Sequence, residues 1–336
     1  MGAAGVLAGR VLGARGFIGF RLAKGLRIMR RGAGEGNPRL LSPKWRQSSP
    51  IGAISCHAHP AYLGCNRIKE SIMATSDAPI QIGRVALTVN DLGRVGDFYR
   101  SVIGLERISG SGEELVLGAG GKPLLELRSD KAARPRPQEA GLFHTAFLLP
   151  DRQALGRWLR FVADQGIRLD GASDHLVSEA IYLRDPEGNG IEVYADRPRS
   201  AWQRDGAEVR MDTIALDLPD LMAAAEGDWT GAPGESVVGH VHLQVGDVAA
   251  AEDFCMNRLG MERMAHRFGA SFFATGGYHH HLAGNVWNSR GAGPRSADSA
   301  GLAEVVLAAD PDRLQALGAT EFRDPWGTTF RVEPKG

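Results

Sequence analysis

The chain has 336 residues, 43% of them hydrophobic, with 39 Lys and Arg balanced by 39 Asp and Glu. Zero net charge argues against a wholly basic nucleic-acid binder, and no apolar run is long enough to span a bilayer, so neither a nucleic acid nor a membrane is expected as partner. Cys56, Cys65 and Cys255 are too few and too scattered for a disulfide framework, which fits a reducing cytoplasm.

Charge is unevenly placed. Residues 1–72 hold twelve Lys and Arg against Glu35 and Glu70, a net of +10, so residues 73–336 carry −10. The segment reads as a basic, disordered extension. Its composition suits an organelle transit segment, but Met73-Ala74-Thr75-Ser76-Asp77 looks like a natural start, and a mistaken upstream extension is the favoured reading. Cys56-His57-Ala58-His59 with Cys65 superficially suggests zinc, yet no flanking strand or helix would hold four ligands tetrahedrally.

Regular structure is predicted from Ile82 onward. Val85, Leu87 and Val89 alternate as a strand, Asp91 caps a helix with Leu92, Val95, Phe98, Tyr99 and Val102 on one face, and Gly104 ends it. Three short strands follow at Leu105–Ile108, Glu114–Leu117 and Pro123–Arg128. A second module opens at Gly141, its alternation placing Phe143, Thr145 and Phe147 opposite His144 and Ala146. A helix from about Asp151 to Gln165 leads to two strands, Leu176–Leu183 and Gly190–Tyr194, joined by the turn Asp185-Pro186-Glu187-Gly188. A Pro-containing linker covers 197–236.

Gly239-His240-Val241-His242-Leu243-Gln244-Val245 then echoes Gly83-Arg84-Val85-Ala86-Leu87-Thr88-Val89, 156 positions earlier, in register through to Gly260 and Gly104. A fourth module from Gly301 repeats the second, with Asp324-Pro325-Trp326-Gly327 for the earlier turn. It is cut down, its Gly-Leu to Asp-Pro interval being 23 positions against 44. About a strand and a half is missing, which predicts apolar surface near Val305 and Leu307 for a partner subunit to cover, and hence a homo-oligomer.

Four tandem βαβββ modules with these openings and Asp-Pro-x-Gly turns resemble the vicinal oxygen chelate superfamily over about residues 80–334. The run from Ser173 to Pro198, with Gly276-Gly277-Tyr278-His279-His280-His281, resembles its catechol 2,3-dioxygenase (extradiol) branch. The resemblance implies an α+β fold of two incomplete barrels, with 80–196 as a first two-module domain and 237–334 as a second. It further implies Fe(II) held by His144, His240 and Glu192, and an aromatic diol cleaved by O₂ to a muconic semialdehyde. Two imidazoles and one carboxylate leave coordination sites open for both substrates, although manganese accepts the same donors. By the same resemblance His280 serves as acid and base, while His175 and Tyr182 hydrogen-bond the substrate oxygens.

The repeat puts Arg84, Glu304 and Arg331 at the places of His240, His144 and Glu192, so modules one and four cannot build this triad, and one site per chain follows. Because the three ligands come from modules two and three, those two should share a barrel. Which of His279, His280 and His281 faces the metal depends on strand register; His242, His266 and His279 read as polar strand residues. Two competing readings remain at this stage. One is a glyoxalase-type isomerase or lyase, for which Glu126 would be the second glutamate; the other is a metal-free module that sequesters a flat aromatic compound.

Overall fold

A computed structural model describes Thr75, residues 77–267 and residues 269–336. The Cys-His cluster at 56–65, the start at Met73 and the whole basic segment 1–72 lie outside the described residues.

Module one comprises β1 (Ile80–Val89), α1 (Leu92–Phe98), β2 (Glu106–Ser111), β3 (Glu114–Ala119) and β4 (Lys122–Ser129). Asp91 caps α1 by accepting from the Arg94 amide, and Gly104, at φ +81°, ends the π-turn that prolongs the helix over Tyr99–Ile103. Module two comprises β5 (Gly141–Leu148), α2 (Arg152–Asp164), β6 (Gly171–Asp174), β7 (Ser178–Arg184) and β8 (Gly190–Asp196). The sequence predicts only two strands after α2. The third, β6, is a Gly-Ala-Ser-Asp stretch of low strand propensity that is held extended by its antiparallel ladder to β7.

Residues 197–236 contain the two-residue strands β9 (Arg204–Asp205) and β10 (Glu208–Val209) and the helix α3 (Leu218–Ala223). They pack on the body through Trp202, Met211, Leu216, Leu218 and Trp229. Module three comprises β11 (Val237–Gln244), α4 (Val248–Asp253), β12 (Glu262–Arg267), β13 (Ala270–Ala274) and β14 (Leu282–Asn285). Module four comprises β15 (Gly301–Ala309), α5 (Pro311–Leu317), β16 (Glu321–Arg323) and β17 (Thr329–Pro334), one strand fewer than its fellows.

The modules pair crosswise into two curled sheets. One has the order β16-β17-β15-β1-β4-β3-β2 and joins modules four and one; the other, β12-β13-β14-β11-β5-β8-β7-β6, joins three and two. Each sheet thus takes one module from 80–196 and one from 237–334. The same rule builds both: the two first strands meet antiparallel at the centre, and each lies parallel to the last strand of its own module. Bulges repeat with the modules. One falls at Gly83 and at Gly239, the other at Phe143 and at Ala303.

Strand alternation sorts the side chains of the second sheet. Val241 and Leu243 of β11 and Ile191, Val193 and Ala195 of β8 enter the main core with Phe147, Tyr99 and Trp158. His240, His242, Glu192, Tyr194 and Asp196 have the opposite parity. The shortened module does not expose its first strand: Val305 and Leu307 are fully buried within the chain's own main core, packed against residues of the other modules. The expected uncovered patch is therefore absent at these positions. The lost strand lay at the sheet edge, next to β16, whereas Val305 and Leu307 sit on the central strand β15.

Candidate metal centre

His240 on β11 and His144 on β5 belong to adjacent antiparallel strands, and Glu192 lies on β8, the parallel neighbour of β5. The three candidate ligating atoms converge. Nε2 of His144 is 3.1 Å from Glu192 Oε2, Nε2 of His240 is 3.3 Å from the same oxygen, and the two Nε2 atoms are 3.3 Å apart. Ligands held about 2.1 Å from one ion at right angles to each other would be separated by about 3 Å, so the spacing fits a single metal ion. Among the described residues no other group of His, Cys, Asp and Glu is arranged this way.

The electrostatics suit ligation. All three residues are buried. Burial pushes the His240 imidazole down to about 4, opposed only in part by the Glu192 charge, so it is neutral and offers a lone pair. Burial works to raise the Glu192 carboxyl, but its electrostatic interactions and hydrogen bonds with the His240 and His144 rings outweigh it and hold the group well below the usual carboxylate range. Two imidazoles and one carboxylate on one face match the facial arrangement that binds a divalent transition metal and leaves open positions.

Residues 81–193 match the model of the Glyoxalase/Bleomycin resistance protein/Dioxygenase superfamily. A catechol-2,3-dioxygenase of Bacillus subtilis is 41% identical over 228 residues, 66% of this chain and 80% of that protein. The chain belongs to this superfamily. A biphenyl-2,3-diol 1,2-dioxygenase of Rhodococcus globerulus is 33% identical over 102 residues, 29% of this chain and 53% of that protein. Among solved structures, a putative dioxygenase from Bacillus subtilis superposes with a TM-score of 0.50 at 14% identity, over 75% of this chain and 84% of that one. Such a likeness speaks for the shared superfamily fold.

What the His144, His240 and Glu192 cluster can do depends on the residues that surround it. A cavity of about 360 Å³ opens over the triad, lined by His175, Tyr182, Met211, Phe272, His280 and Trp287 among others. His175 donates from Nδ1 to the Asp212 carbonyl at 2.7 Å, so when neutral it accepts the Tyr182 hydroxyl at Nε2, 2.6 Å away. Burial, with the Glu192 charge adding to it, raises the Tyr182 phenol well above its usual range, so it stays protonated. Leu176, next to His175, has φ +69° and is the only non-glycine residue among those described with positive φ; Asp174 holds the turn by accepting from the Leu176 amide and from Arg197.

His280 is the member of the histidine triplet that lines the cavity, its ring 4.1 Å from that of His240. It does not lie in a strand, as expected, but two residues before β14, because the positive-φ glycines Gly276 and Gly277 turn the chain after β13. His279 and His281 are fully buried and turn elsewhere: His279 to Asp196, His281 to the Thr75 hydroxyl at 2.8 Å.

Sequence reasoning passed over three features of the site. His242 lines the cavity, packed on His144 and receiving a hydrogen bond from Asn285 Nδ2; its parity with His240 was the available signal. Phe143 also lines it, against the simple alternation, because the bulge between His144 and Leu142 re-aims it. The pairing of the buried His279 with Asp196 left no signal in strand periodicity. His266 does lie apart, bound to Glu252 and Ser271.

Proposed function

We propose that the chain is an extradiol ring-cleaving dioxygenase, acting with Fe(II) and O₂ on a catechol-type aromatic diol to give a muconic semialdehyde. The observation that carries this reading is the buried His144–His240–Glu192 cluster beneath a cavity whose walls carry His175, Tyr182 and His280. Identity of 41% to a protein named catechol-2,3-dioxygenase supports it. The glyoxalase alternative loses its second glutamate: Glu126 is on the other sheet and is taken up by Arg128 at 2.6 Å and Arg84 at 3.7 Å.

His144, His240 and Glu192 would hold an iron ion, which would supply Lewis-acid chemistry at this site. The protein's own groups do the rest. The apolar and aromatic walls, Phe143, Met211, Phe272 and Trp287, take the flat ring and exclude water from it. Tyr182, kept protonated and linked to His175, orients one diol oxygen and can pass a proton along to the His175 nitrogen it touches. His280 lines the cavity from a buried position and is held neutral, burial pushing it well below its usual range, so it serves as the base that takes a diol proton and later returns it.

Oxygen uptake with catechol under Fe(II), read beside formation of the yellow semialdehyde, tests the reading. Turnover that vanishes in Glu192→Ala is expected. Stable iron binding with no uptake across simple, alkylated and chlorinated catechols would overturn it.

A further inference from the structure

The groups behind His280 set which of its nitrogens carries the proton. Its Nδ1 is 2.7 Å from Nδ1 of His279, and Nε2 of His279 is 2.9 Å from Asp196 Oδ1. His279 is fully buried, walled by Tyr278 at 4.1 Å, Trp202 at 5.3 Å and Tyr194 at 6.2 Å between ring centroids. Asp196 belongs to β8, four residues beyond Glu192 and with the same parity, so the strand that supplies the metal carboxylate also supplies this one.

Hydrogen-bond direction follows from donor chemistry alone. An ionised carboxylate can only accept, so His279 carries its proton on Nε2. When His279 carries that one proton its Nδ1 is bare and can only accept, so the proton between the two rings then belongs to His280 Nδ1.

We propose that Asp196 and His279 are a positioning pair that holds His280 as its Nδ1–H tautomer, leaving Nε2 as a bare acceptor at the metal cavity. The inference deepens the dioxygenase reading and rests on it for its catalytic meaning: His280 enters the reaction as a base. The diol O–H bond breaks, its proton joins Nε2 and the electron pair stays on the diol oxygen. The imidazolium so formed still donates from Nδ1 to His279, and the Asp196 charge lies one ring away to stabilise it. Return of the same proton to product oxygen restores the starting tautomer.

The test is the tautomer itself, which needs no turnover. Full-length protein labelled with ¹⁵N-histidine and loaded with Zn(II) as a diamagnetic probe is read by long-range ¹H–¹⁵N correlation, the His280 signals being assigned by their loss in His280→Gln. His280 is expected with Nδ1 protonated and Nε2 bare. Asp196→Asn, whose amide can donate to His279, should reverse the His280 tautomer and lower kcat on the order of 10²- to 10⁴-fold. His279→Gln keeps the order of donor and acceptor, so it should keep the tautomer and most of the activity that His279→Leu loses. His280 found protonated on Nε2, or a tautomer indifferent to Asp196→Asn and His279→Leu, overturns the proposal. The expected tautomers without any diol turnover in the iron-loaded protein would instead fault the dioxygenase reading and leave the positioning pair standing.

Discussion

Glu192 and Arg331 stand at the same register of the two curled sheets. Glu192 lies beside Ala146 in the β5–β8 ladder and Arg331 beside Val306 in the β15–β17 ladder, each pair two residues beyond the first-strand position held by His144 in one and Glu304 in the other. One sheet thus presents two histidines and a carboxylate. Its counterpart presents an ionic network in which Arg331 meets Glu304 at 3.1 Å, Arg128 meets Glu126 at 2.6 Å and Arg84 meets Glu333 at 2.8 Å.

That network should act on stability and not on the metal. Glu304 is buried, and although burial works to raise its carboxyl, Arg331, Arg128 and Arg84 hold it below its usual range. Glu304→Gln keeps the shape and removes the charge, and is expected to cost about 1–2 kcal/mol, the partly exposed arginines limiting the loss. Denaturant midpoints measure it, and metal content per chain should stay unchanged.

Acid should destabilise the metal-stripped protein through its buried histidines. His240 titrates near 4 when folded, against about 6.5 when unfolded. Between those values the unfolded chain binds the extra proton, so stability is fully present above pH 6.5 and is lost as pH falls towards 4. The shift corresponds to about 3 kcal/mol for this one side chain. His242, His280 and His281, also pushed down by burial, act in the same direction. Urea unfolding from neutral pH to pH 4 should show the slope, and His240→Leu should flatten it measurably; an unchanged slope would count against a neutral buried His240.

Gly239 is the bulge residue beside His240, and a Cβ there would overlap the Tyr194 hydroxyl. Gly239→Ala should therefore destabilise by about 2 kcal/mol or more and weaken metal binding by shifting His240. Adding Tyr194→Phe removes the clashing oxygen and should recover part of the loss. A double-mutant cycle with no coupling would show that the bulge tolerates a side chain without leaning on Tyr194.

Much of this was legible in the sequence because repeats constrain one another. The Gly83 and Gly239 openings fixed the first strands, the Asp-Pro-x-Gly turns fixed the last ones, and the uneven distribution of His and Arg between modules dictated the crosswise pairing. What escaped was decided by tertiary contact. β6 is held extended by its pairing with β7 and, at Asp174, with Ile214, Phe143 reaches the cavity because a bulge interrupts the alternation, and Val305 and Leu307 are buried because the missing strand was an edge strand. The Asp196–His279–His280 chain joins residues 83 positions apart across a turn, and no periodicity could announce it.

The central claim is that modules two and three together build one metal site per chain. Iron content after anaerobic Fe(II) loading of the full chain, measured beside His144→Ala, His240→Ala and Glu192→Ala, tests it most directly. The account predicts one iron per chain in the parent protein and none retained in any of the three variants. Two ions per chain, or iron that survives loss of His240, would contradict it.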